Sequence, residues 1–142
     1  GSADMVVTFR NIHNWMWQPN MLDKAMTDFA TALKPGGVLG VEEHRADPRA
    51  EKVEDTRSAS DGYVSEASIV AAAKKAGLVL EAKSEINANP KDTKDHPFGV
   101  WTLPPNSTTA PRGGETPAGF DAAKYKAIGE SDRHTLRFRK PA

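Results

Sequence analysis

The sequence predicts an α/β fold built on an open, mostly parallel sheet. Three observations predict it. Residues 5–9 (MVVTF) and 38–42 (VLGVE) are apolar, β-branched runs of strand length, and each ends in polar side chains. Each is followed downstream by a stretch whose apolar residues recur every three or four positions, the spacing of a helix packed on one face. Such strand–helix alternation argues for parallel strands joined by crossovers, expected to be right-handed.

The first strand opens the chain and runs straight into Arg10, Asn11, Ile12, His13, Asn14 and Trp15. Open α/β sheets bind ligands at the carboxyl ends of their strands, so this loop is the first place to look for chemistry. A helix is predicted next, with Met21, Leu22, Ala25, Met26, Phe29, Ala30 and Leu33 on its apolar face, Asn20 as N-cap and Asp23 in its first turn. Lys34-Pro35-Gly36-Gly37 stops it. The second strand, 38–42, is continuously apolar, as in a sheet covered on both faces, and ends in Glu42, Glu43 and His44. Residues 46–61 read as loop.

A second helix follows Ser65, with Ile69, Val70, Ala73 and Ala76 inward and Gly77 at the left-handed position just past its end. The third strand, 78–86, turns alternating and is expected to be less buried. Residues 87–129 hold six of the ten prolines (90, 97, 104, 105, 111 and 117) and show little periodicity. They are expected to form an insertion, mobile around 107–114, with a short helix near 124–128. Residues 134–139 alternate polar and apolar; with no helical crossover leading in, they are expected to run antiparallel.

Composition narrows the class. Nineteen basic and nineteen acidic residues leave no net charge, which excludes the basic footprint of a nucleic-acid binder. No apolar run is long enough for a membrane helix and no signal peptide is visible, so a soluble, by default cytoplasmic, protein is expected. The absence of cysteine excludes disulfides, thiol catalysis and zinc–thiolate sites.

The ordered set of elements resembles the second half of a class I S-adenosylmethionine-dependent methyltransferase. Leu33-Lys34-Pro35-Gly36-Gly37-Val38-Leu39 is similar to the helix-to-strand turn of these enzymes. Thr8-Phe9-Arg10-Asn11-Ile12 is similar to the Arg-Asn after their fourth strand, and Ala76-Gly77-Leu78 to the turn into their sixth. Residues 85–90 and 99–104 resemble a group of predicted methyltransferases of uncertain substrate. The resemblance implies a partial Rossmann-like open sheet: three parallel strands plus a final antiparallel strand, lacking the N-terminal cofactor-binding half. On that expectation residues 1–142 form one partial domain, the chain is the second half of something longer, and the bare first strand is covered by dimerisation or by a partner.

Position at strand ends selects the candidate site. His13 and Asn14 are the expected catalytic pair, with His13 a base near neutral pH; the alternative is a solvent loop whose asparagines cap the next helix. Arg10 and Asn11 are assigned to the cofactor. Trp15, Glu43, His44, Tyr63, His96 and Trp101 are assigned to substrate, His96 and Trp101 as parts of a lid. Trp15 and Trp17 have the alternative of stapling the loop to the core, and the charges around Glu43 and His96 that of plain solvated surface. No metal is expected, because the spacing of His13, Glu42, Glu43 and His44 matches no metal motif.

The resulting expectation is methyl transfer from S-adenosylmethionine to a small-molecule acceptor in the full-length form, the fragment being inactive alone. Its main competitor is a non-catalytic half-Rossmann binding or dimerisation fragment. A third class is a small metal-dependent protein built on His13, Glu43, His44 and His96.

Overall fold

The computed structural model describes residues 1–48 and 56–142. A four-stranded mixed sheet forms its centre, in the order β1-β2-β4-β3. β1 (Ala3–Phe9) pairs in parallel with β2 (Leu33–His44). β4 (Arg133–Arg139) runs antiparallel to β2 on one side and to β3 (Val79–Ser84) on the other. The first three strands therefore share one direction and the last is slotted between the second and third against it. β3 is an edge strand, which accounts for its alternating pattern.

Two helices carry the apolar spacing. α2 (Met21–Ala32) and α3 (Glu66–Lys75) pack with the four-residue α1 (Ile12–Trp15) against one face of the sheet. On that face the register stacks Leu39 on Phe138, Val41 on Leu136 and Glu43 on His134, all nearly fully buried. The first two pairs are core; the third puts a carboxylate and an imidazole where the core meets the strand ends.

The opposite face is bare along β1. Met5, Val7 and Phe9 are 60%, 51% and 59% exposed. The apolar run is real, but its three alternating side chains point away from the helices, and the outer edge of β1 has no strand partner among the described residues.

Local details separate where chemistry and context prevail. Ser65 caps α3, its side chain accepting from the Ser68 amide, worth about 1 kcal/mol. Gly77 takes φ +85 past the helix end. Asn20 does not cap α2 with its side chain: it sits at φ 62, and its carbonyl accepts the Lys24 amide instead. The tight 17–20 turn thus sets the backbone first, and the left-handed geometry suits Asn.

After Ala32 the chain is already extended at Leu33. Pro35-Gly36-Gly37 then lies in an irregularity of the β1–β2 ladder, between the pairs Ala3–Leu33 and Met5–Val38. A Cβ on Gly37 would stand 2.9 Å from the Lys34 carbonyl. The cation that meets the helix's last carbonyls is Lys140, whose Nζ donates to Ala30 O and Leu33 O at 2.6 and 2.7 Å. Lys34 instead pairs with Asp4.

The 87–129 segment is better anchored than its composition suggested. A 3-10 turn (Gly99–Thr102) buries Val100 and Thr102, with Leu103 beside them, and α4 spans Ala122–Ile128. Gly99 sits at φ +61, and a Cβ there would meet the Asp61 carbonyl oxygen at 2.5 Å, so only glycine permits this approach. Residues 107–114 are largely exposed, with one turn closed from Gly114 N to Pro111 O.

Candidate functional site

At the carboxyl ends of β1 and β2 lies a cavity of about 340 Å³, lined by Arg10, His13, Asn14 and His44, by Val100, Trp101, Pro104 and Pro105, and by Glu130, Ser131 and Arg133. The β1 end supplies the first three, the β2 end His44, and the turn within 87–129 the apolar wall. The start of β4 supplies the rest. This last set was missed from sequence, although an antiparallel final strand must begin where its parallel neighbours end.

The floor of the site is Glu43, completely buried. Its Oε2 accepts the His13 backbone N–H at 3.0 Å and its Oε1 the His44 backbone N–H at 2.9 Å. The His13 ring Nδ1 lies 3.0 and 3.1 Å from the two oxygens. A carboxylate surrounded by three donors accepts from each of them, so His13 carries its proton on Nδ1 and turns Nε2 outward. The arrangement follows from local sequence. The α1 turn begins after only two intervening residues, presenting both the amide and the ring of His13 to the neighbouring strand.

His44 is tied down differently. Its Nδ1 lies 2.5 Å from Ser131 Oγ, which also accepts from Arg133 Nε at 3.0 Å. Its ring stands 5.5 Å from that of His13 and 6.3 Å from that of Tyr63, centroid to centroid. Burial, then the positive charge of Arg133, depresses its pKa from 6.5 to about 3. Trp101 and Trp17 flank His13 at 5.9 and 6.3 Å.

Two guanidinium groups hold the rim. Arg133 and Arg10 lie 3.3 and 3.7 Å from Glu42 Oε1, which makes no hydrogen bond among the described residues. Arg10 adopts φ 50, a left-handed conformation that costs a residue with a Cβ about 1–2 kcal/mol. Strain of this kind persists where the surroundings impose it, here through the Arg10 amide donating to the Glu42 carbonyl at 2.7 Å.

Of the residues singled out from sequence, the structure gathers Arg10, His13, Asn14, His44 and Trp101 around the cavity, with Glu43 directly beneath His13. The others lie elsewhere. Asn11 accepts from the Asn14 side chain at 2.8 Å. Trp15 packs on Phe29, ring centroids 5.6 Å apart, against the core. Tyr63 stands behind His44 with its hydroxyl on Asp92, and His96 bonds the same Asp92 at 2.7 Å with its ring against Tyr125.

His13, Glu43 and His44 each offer one donor atom within 4.8 Å of the others, near enough to share an ion. As arranged, however, the Glu43 oxygens are already committed to three N–H groups. Those bonds fix the orientation of the His13 imidazole.

His134, cross-strand from Glu43, is buried with neither ring nitrogen hydrogen-bonded among the described residues. Burial, then Arg45, lowers its pKa from 6.5 to about 4. In the unfolded chain both His134 and His44 take up a proton near 6.5; in the folded chain they resist until about 4 and about 3. Stability should therefore be full above about pH 6.5 and fall as pH drops toward 4. Each histidine contributes a slope of about 1.4 kcal/mol per pH unit. Urea midpoints measured across that span check this, and replacing His134 with Leu should flatten the slope; an unchanged midpoint would contradict it.

No protein-family model and no curated protein matches the chain. Among the solved structures that share its fold are two methyltransferase-like neighbours. The crystal structure of the cyclase SpnF superposes with a TM-score of 0.50 at 14% identity, over 98% of this chain and 50% of that one. A complex between the Haloferax volcanii Trm112 methyltransferase activator and a methyltransferase candidate superposes with a TM-score of 0.50 at 16% identity, over 99% of this chain and 55% of that one. The chain thus spans about half the length of each. The fold is methyltransferase-like, with the His13–Glu43 pair at the ends of its parallel strands. No helix among the described residues is long and apolar enough to cross a membrane.

Proposed function

We propose that the chain forms the acceptor side of an S-adenosylmethionine-dependent methyltransferase acting on a small molecule, with His13 as general base and Glu43 as the residue that positions it. The observation that carries this reading is the buried carboxylate holding both the amide and the Nδ1 of His13, so that Nε2 faces a cavity at the strand ends.

The residues present fit an acceptor more fully than a cofactor. Among the described residues no glycine-rich strand-to-helix turn opens onto the cavity. Arg10 reaches the rim, and Asn11 fixes Asn14 beside it; this is the part of the loop proposed to face the cofactor. A complete cofactor site is proposed to need structure equivalent to the remaining half of the neighbours, and the chain by itself to be inactive. S-adenosylmethionine, when bound, supplies an electrophilic methyl group. The chain's own residues do three things: Trp101 and the prolines hold the acceptor and exclude water, Arg10 and Arg133 set a positive rim, and His13 takes the proton.

The test is methyl transfer by the full-length protein. His13→Gln should lower the rate roughly 10²–10⁴-fold. Activity within threefold of the unsubstituted protein would sink the role of His13. No methyl transfer to any hydroxyl, amine or carbon acceptor would sink the function.

A second reading has its own observation. The exposed Met5, Val7 and Phe9 sit on an unpaired edge strand, as a binding or dimerisation fragment requires. Light scattering decides it: a monomer at tens of micromolar argues against a homodimer through β1.

A further inference from the structure

Resting on the proposed acceptor role of this cavity, the geometry points to a hydroxyl on a flat apolar body, a phenol, as the group it recognises. We infer this from the tautomers that their hydrogen-bond partners assign to His13 and His44.

Glu43 accepts from His13 Nδ1, which leaves His13 Nε2 as a hydrogen-bond acceptor. The tautomer of His44 follows from Ser131. Arg133 has no acceptor atom, so it donates from Nε to Ser131 Oγ. Among the described residues the remaining neighbour of Ser131 Oγ is His44 Nδ1 at 2.5 Å. We assign the serine O–H to that nitrogen, so that Nδ1 accepts and the His44 proton sits on Nε2. Both rings line the cavity, and both turn their Nδ1 edges into the protein. The cavity is therefore offered one imidazole acceptor and one imidazole donor side by side, ring centroids 5.5 Å apart.

A single oxygen at about 2.8 Å from each nitrogen bridges such a pair. A hydroxyl satisfies both, giving its proton to His13 Nε2 and accepting from His44 Nε2–H. A methyl ether has no proton for His13. An ammonium has no lone pair for His44. A carboxylate sets its lone pairs against that of His13. When the hydroxyl proton passes to His13 Nε2, the electron pair stays on oxygen, held by His44 Nε2–H and near the guanidinium groups of Arg10 and Arg133. Val100, Trp101, Pro104 and Pro105 offer the ring a flat apolar slot in a cavity of about 340 Å³. Ser131 is thus a positioning residue: it acts through His44.

The experiment uses 4-nitrophenol, its methyl ether 4-nitroanisole and 4-nitroaniline as probes of binding at neutral pH, by calorimetry and by the visible band of the nitrophenolate. Nitrophenol should bind at least about tenfold tighter than the ether, with its phenolate band enhanced on binding. Ser131→Ala should shrink that preference to about twofold or threefold while circular dichroism stays unchanged. Nitrogen-15 imidazole spectra of the unsubstituted protein provide a measurement that needs no variant, and should show His13 protonated at Nδ1 and His44 at Nε2.

Equal affinity for phenol and ether, no binding of either, or His44 protonated at Nδ1 each overturns the proposal. These failures are separable from that of the methyltransferase reading. An enzyme that methylates amines but shows no phenol preference refutes only the hydroxyl subsite. A protein that prefers phenols but methylates nothing refutes only the activity.

Discussion

Glu43→Gln should lower folding stability by about 3–5 kcal/mol and abolish any activity that depends on His13. The carboxylate is completely buried and receives the His13 amide, the His13 ring and the His44 amide. A glutamine of the same shape brings one oxygen and one NH₂ group. It can serve one side of this three-donor arrangement, and its own N–H groups then face N–H groups on the other side, with no water to relieve them. The loss reaches beyond stability. With the amide's oxygen no longer held against Nδ1, nothing enforces the His13 tautomer, and Nε2 ceases to be a reliable proton acceptor.

Urea denaturation and nitrogen-15 imidazole spectra read the two consequences separately. A stable Glu43→Gln protein with an unchanged His13 tautomer would show that the carboxylate is not what orients the ring. Glu43→Asp should fall between the two, since it keeps the charge but retracts it by one methylene, opening hydrogen bonds of 3.0 Å toward lengths where they weaken.

The contrast between Glu43 and its neighbours shows what the sequence makes legible. A strand that ends in charged and aromatic residues marks its carboxyl end, and periodicity marks which stretches are strands and helices. So Arg10, His13, Asn14 and His44 could be placed at one rim before any coordinates, along with the direction of the last strand. Which side chains point into the rim was not legible. Glu42 and Glu43 are adjacent, yet the two-residue period of a strand sends them to opposite faces. Only the register with β4 puts Glu43 on the helix side beneath His13.

Trp15 illustrates the reverse. It sits on a short helical turn whose inner face belongs to the core, so its ring packs on Phe29 while Trp101, a long way off in sequence, reaches the cavity. The exposure of β1 was hidden for a related reason. An apolar run predicts a buried strand only if both faces are covered, and coverage is a property of the assembly of elements rather than of the run.

The largest effect outside the cavity should come from Asp92→Ala, with a loss of about 3–5 kcal/mol. Composition marks residues 87–129 as poorly structured, and one buried carboxylate accounts for much of the difference. Asp92 accepts from the Tyr63 hydroxyl at 2.8 Å, from His96 Nε2 at 2.7 Å, from the Asp132 amide at 2.9 Å and from the Lys94 amide at 3.0 Å. Burial, then the charge and hydrogen bond of Asp92, pushes the Tyr63 pKa upward, so the phenol stays protonated and donates.

The next layer continues the same tie. Asp132 receives Arg45 and Lys94, each at 2.9 Å, together with the Asn89 amide at 2.8 Å. Its own burial opposes ionisation, but hydrogen bonds from Arg45 and Lys94 prevail and hold its pKa near 2. Removing Asp92 therefore strands four donors at once and loosens the start of β4, the segment that delivers Ser131 and Arg133 to the cavity.

Asp92→Asn should cost less than Asp92→Ala, because one oxygen survives, but its amide group would confront donors it cannot satisfy. In both variants the fluorescence of Trp101 should shift toward that of a solvated indole, and proteolysis should begin between 87 and 129 while the core stays protected. If Asp92→Ala instead unfolds within 0.5 kcal/mol of the unsubstituted protein, with the segment still protected, then apolar contacts at Val100 and Leu103 hold the cavity wall by themselves.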